Sequence, residues 1–140
     1  MAAPPGSLDR ANRAVVAYLD GRRLKGYVYD FSALKDRFRL FPADDALGRG
    51  GTEVEMKDLK AVFFVKDFAG QPGYHESQLA EPSTHGRRIE VTFSDGEQML
   101  GTTEGYNLQR VGFFIFPADV KSNNVRIFVV NKNIRQAKWV

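Results

Sequence analysis

The chain of 140 residues has no cysteine and only two histidines. The first absence excludes disulfides, thiolate metal sites and a cysteine nucleophile. The second removes most imidazole-based metal and acid–base schemes. No apolar run approaches the roughly 20 residues of a membrane helix. The opening MAAPPGSLDR lacks the apolar stretch of a secretory signal. Charge of one sign is scarce as well. The 20 Lys and Arg against 17 Asp and Glu leave a net charge of +3. They divide as 11 against 9 up to Val65 and 9 against 8 after it. So even an excess lacks the dense basic stripe of a dedicated nucleic-acid protein, and it permits an acidic partner without demanding one. With 43% apolar and 26% charged residues, the composition suits a globular chain of one ordinary domain or two very small ones. The expectation is a cytoplasmic protein with no membrane contact, no cofactor and no metal.

What the chain does have is a repeat. Residues 14–65 align without a gap on residues 89–140, at an offset of 75. Asp20-Gly21 falls on Asp95-Gly96, Gly26 on Gly101 and Phe38 on Phe113. The run FPAD at Phe41–Asp44 recurs at Phe116–Asp119. Tyr18/Phe93, Leu24/Met99 and Leu40/Ile115 exchange like for like. Each copy alternates apolar and polar residues around its DG, a hairpin signal. A short aromatic strand follows, RFRLF or GFFIF, stopped by Pro42 or Pro117. Two more apolar segments complete each copy, TEVEM and LKAVFFV in the first, NVRIFVV and IRQAKWV in the second. Five short strands per copy, with a glycine bend in the second, predict a small barrel. The expected fold is therefore all-β: an internal duplication of two five-stranded small barrels, packed as a pseudo-two-fold unit. The boundaries read as an N-terminal segment 1–13, repeat 14–65, linker 66–88 and repeat 89–140. Ser7 is a candidate cap for a short helical turn.

The first hairpin resembles the first signature of the Sm-like small barrels, a group with an SH3-like fold. Val16, Leu19, Asp20, Gly21, Arg22, Leu24, Gly26, Val28, Asp30 and Phe31 carry the resemblance. The second copy keeps Asp95, Gly96 and Gly101, and Ile134-Arg135 is similar to the start of the second signature. The resemblance implies the barrel fold and single-stranded RNA as a ligand class. The family's base-binding Asn has no counterpart in Ser32–Asp36. The FPAD-bearing tandem also resembles a bacterial domain of unknown function that accompanies cyclic-dinucleotide-binding domains. That likeness implies a regulatory setting and no catalytic residues.

Chemistry-bearing residues are few. His75 and His85 have only Glu76 and Glu81 near them in sequence, too thin a set for a metal. Asp20 and Asp95 sit where a turn prefers Asp-Gly for backbone reasons. FPAD recurs in both copies, so a structural turn accounts for it. Gly48–Gly51 is glycine-rich, but it joins strand to strand and no GK[ST] follows. The arginine-pair and DxSxxG pattern of cyclic-di-GMP sites is not assembled from Arg22-Arg23, Arg87-Arg88 or Asp30–Ser32. An enzyme is not expected.

The copies differ on their outer faces. By period-2 alternation Phe38/Leu40 and Phe113/Ile115 point inward. The opposite face carries Arg37 and Arg39 in copy one but Phe114 and Phe116 in copy two. Likewise Glu53 and Glu55 correspond to Phe128 and Val130, whereas Phe63 and Phe64 correspond to Lys138 and Trp139. Phe114, Phe116, Phe128 and Val130 are therefore a candidate protein interface, either between the two copies or toward a protein partner or homodimer. Arg22, Arg23, Lys25, Tyr27, Arg37 and Arg39 are a candidate nucleic-acid face. The functional expectation is a non-enzymatic protein-contact or scaffold module. Single-stranded RNA or DNA binding and a cyclic-dinucleotide-linked regulatory role are the alternatives.

Overall fold

A computed structural model describes residues 12–42, 51–74, 86–119 and 121–140. His75, His85, Ser7, Asp44 and Gly48–Gly50 lie outside them. The first copy holds β1 (Asn12–Tyr18), β2 (Arg23–Val28), β3 (Arg37–Pro42), β4 (Thr52–Glu55) and β5 (Leu59–Val65). The second holds β6 (Arg87–Phe93), β7 (Gln98–Thr103), β8 (Gly112–Pro117), β9 (Asn124–Val130) and β10 (Ile134–Trp139). Short 3₁₀ turns, Met56–Asp58 and Asn131–Asn133, connect β4 to β5 and β9 to β10. The repeat thus extends from residues to elements. Even a register shift recurs: Leu59 faces Tyr18 and Ile134 faces Phe93, each beside an irregularity.

Local chemistry explains the elements. Gly21 and Gly96 take φ of +96° and +92°, which L side chains avoid, so the DG turns close the hairpins. Asp20 Oδ1 accepts the Arg22 amide and Asp95 Oδ1 the Glu97 amide, both at 2.9 Å. Gly26 is needed for close approach: a Cβ there would lie 2.5 Å from the Phe41 carbonyl oxygen and 2.9 Å from Leu40 Cγ. Gly101 has the same relation to Phe116 and Ile115.

The expected pair of closed barrels does not form. The structure is one open antiparallel sheet of ten strands, in the order β10-β6-β7-β8-β9-β5-β1-β2-β3-β4. The reason is the arithmetic of strand edges. A strand has two edges, and β1 and β9 occupy those of β5. β4 therefore cannot close onto β5. In the same way β8 and β5 occupy β9, so β10 cannot close onto it. The pseudo-two-fold arrangement is corrected too. A two-fold joint brings like strands together, but here the fifth strand of one copy meets the fourth of the other, a head-to-tail relation.

Two apolar clusters flank the seam. Ala14, Val16, Phe38, Leu40, Val54 and Leu59 anchor the first, and Ile89, Val91, Phe93, Phe113 and Ile115 the second. The seam strands serve both by alternation. Val62, Phe64, Phe128 and Val130 enter the first cluster, while Ala61, Ile127 and Val129 enter the second with Phe63 packed against it. Phe128 is fully buried, worth about 1.5–3 kcal/mol by transfer alone. The second copy thereby completes the core of the first.

Candidate functional site

The ends of the sheet are β4 and β10. They are the repeat counterparts of β9 and β5, the strands joined at the internal seam. The seam therefore shows what each free end is shaped to meet. Inside it, the Phe31 ring lies 5.1 Å from Phe64 and 5.2 Å from Phe38, all from copy one. Copy two adds Phe128 at 4.9 Å and Phe114 at 5.8 Å. At the other end, Tyr106 holds the place of Phe31. Its ring lies 4.8 Å from Phe113 and 5.9 Å from Trp139, the counterparts of Phe38 and Phe64. There the sheet stops at β10, and Trp139 is left 40% exposed. The Arg87 guanidinium lies 4.2 Å from the Trp139 ring centroid. An edge strand with no further strand beside it among the described residues, an aromatic platform and the Arg87 guanidinium make up this site.

A sequence profile of one family matches residues 10–140, through both copies and the segment between them. The chain belongs to DUF6982, a family of unknown function. No curated protein and no solved structure matches it.

The sequence-derived candidates of this DUF6982 chain fall in several places. Phe128 and Val130 are buried in the first cluster, and Phe114 is half-buried against it. Phe116 is half-buried on β8, opposite Thr102. Arg23, Lys25 and Tyr27 share one face of β2, and Arg37, Arg39 and Phe41 share one face of β3. The pairing of Tyr27 with Phe41 makes these a single face. Arg22 stands at its margin, bound to Asp20 at 2.8 Å. The face is partly neutralised. Arg37 bonds to Asp36 and lies near Glu53 and Glu55, which together hold its pKa above the ordinary arginine value. Lys25 donates to the Phe68 carbonyl.

Tyr106, Trp139 and Arg87 are not among the sequence-derived candidates. Their signal lay in the alignment, where a tyrosine and a tryptophan replace two phenylalanines of a core. Both carry a polar atom suited to a half-wet surface.

An ion pair built on a buried lysine ties the halves together. Lys60 of β5 is buried and donates to Asp95 at 2.8 Å and Glu97 at 2.7 Å, at the DG turn of copy two. Burial opposes its charge, but these two hydrogen bonds outweigh it and raise the Lys60 pKa. The Lys60 bond and the Glu97 amide hold Asp95 below the usual carboxylate range. This is a structural clamp. Among the described residues no group of three His, Asp or Glu is placed to hold a metal, and no helix is long and apolar enough to cross a membrane.

Proposed function

We propose that this chain is a non-enzymatic contact module that takes an extended strand of a protein partner onto β10. One observation carries the reading: the chain already performs this addition internally. At the seam β5 receives β9 through a five-pair ladder, Ala61 opposite Val129 through Val65 opposite Asn124, and two aromatic side chains cover Phe31. At β10 the same strand position and the same aromatic base have no strand over them among the described residues. Main-chain bonds supply affinity in such strand addition, and alternate side chains supply selectivity. The fitting partner segment carries large apolar residues two positions apart, which reach Tyr106 and Trp139.

Trp139 is the single tryptophan, so it reports on its own site. A peptide with the β9 sequence NVRIFVV is expected to change Trp139 fluorescence and to shift β10 amide resonances. The same peptide with Glu in place of Phe is expected to do neither. Absence of both signals at millimolar peptide sinks the reading. Concentration-dependent dimerisation lost in Trp139→Glu would make a second copy the partner.

The shared face of Arg23, Lys25, Tyr27, Arg37 and Arg39 favours a second reading, single-stranded nucleic-acid binding. Anisotropy titrations with labelled RNA and DNA test it. Affinity falling steeply with salt supports it, and no binding at low salt retires it.

A further inference from the structure

The buried cation at the seam, Lys60, has two carboxylates, Asp95 and Glu97. Arg126 has none. It stands on β9 opposite Phe64, half-buried, with its guanidinium carbon 4.9 Å from the Phe64 ring centroid and 4.3 Å from that of Phe114. Both rings lie within cation–π range of the guanidinium, a contact that uses none of its N–H donors. No carboxylate or hydrogen-bond acceptor meets those donors among the described residues. Burial without a counter-charge lowers the Arg126 pKa from the ordinary arginine value.

Arg126 lines a groove of about 410 Å³, within the size range of small-ligand sites. Its far wall is the loop between β7 and β8, which brings Asn107 and Arg110. The Arg110 side chain likewise has no ion-pair partner among the described residues. Ala33 and Phe116 supply apolar lining, and Glu104 is the one acidic residue among the described residues of the lining. Among these described residues two arginines stand against one carboxylate, a cationic balance.

The Arg126 side of the groove has no like residues in the first copy. In the first copy Gly51 stands where Arg126 does and Arg39 where Phe114 does. Tyr29 replaces Glu104, and its ring packs on Phe41 at 5.3 Å. A feature present in one copy of a duplicated fold is not required by the fold.

We infer that the Arg126 groove binds a small phosphate monoester, its phosphate on Arg126 and Arg110 and its apolar or planar substituent against Phe116. A tetrahedral dianion accepts from two guanidinium groups on different walls, whereas a carboxylate is satisfied by one bidentate arginine. The site lies on β8 and β9, apart from β10, and stands independently of strand addition there.

The test is calorimetry on the full chain with three probes: inorganic phosphate, adenosine monophosphate and phenyl phosphate. Both esters are expected to bind tighter than inorganic phosphate. Arg126→Gln and Arg110→Gln are each expected to weaken ester binding by about tenfold or more, the worth of one charge-assisted hydrogen bond. Arg88→Gln, outside the groove, is expected to leave it unchanged. If Arg126→Gln unfolds, Arg110→Gln, whose side chain is exposed, still decides. No heat from any probe overturns the inference, as does ester binding indifferent to both groove variants. Equal binding of inorganic phosphate and both esters overturns the assigned substituent contact and leaves only a phosphate subsite.

Discussion

Phe31 and Tyr106 hold the same place in the two halves, yet their surroundings differ. Phe31 meets Phe38 and Phe64 of its own half and then Phe114 and Phe128 of the other. Tyr106 meets Phe113 and Trp139, and the sheet ends. One half is completed by a neighbouring strand and the other is not. The side chains match this difference. The covered place uses phenylalanines, which only require burial, and the uncovered one uses Tyr and Trp, which tolerate water at one end. A duplicated module joined head to tail must leave one unsatisfied end of each kind, here β4 and β10.

Breaking the covered end should cost most. Phe128→Ala removes a fully buried ring from the first core, and a loss of about 3–5 kcal/mol is expected in urea unfolding. A cost near that of Trp139→Ala would mean the two ends are alike. Gly101→Val should follow, at about 1–3 kcal/mol, because a side chain there meets the Phe116 backbone and Ile115. Lys60→Ala loosens the clamp between the halves and should cost about 1.5–3 kcal/mol.

The same clamp has a pH signature. Folding depresses the Asp95 pKa, so its stabilisation is complete above the unfolded carboxyl value of about 3.9 and is lost as pH falls through the lower folded value. Asp95→Asn should remove that part of the acid slope, and unfolding midpoints measured from neutral to acid pH would reveal it. Trp139→Ala should cost less than about 1.5 kcal/mol in stability while abolishing strand addition at β10. Arg37→Ala should leave the unfolding midpoint close to unchanged, since its ion pairs are solvated.

Much of the fold was legible. All ten strands lie where alternation and turn residues place them, and the 75-residue offset holds from residues to register shifts. Asp20 and Asp95 serve their turns through short-range hydrogen bonds, which is why local sequence revealed them. The exposed platform was only half legible. The exchange of Phe64 for Trp139 is visible in the alignment, but that Trp139 lies at an edge depends on which strand β5 pairs with. The cation beside Phe64 and Phe114 was not legible at all, since Arg126 meets Phe64 only across the seam.

Strand positions, turns and the duplication follow from the sequence by itself, because alternation, Asp-Gly and glycine bends act over a few residues. Whether five strands close on themselves or join to the next five is decided elsewhere. Both outcomes use the same alternation and the same backbone donors and acceptors, so local pattern cannot separate them. The choice rests on the β5–β9 ladder, where Phe128 and Val130 enter the first core while Ala61 enters the second. Those contacts link residues 59 to 68 positions apart, and only the folded sheet brings them together.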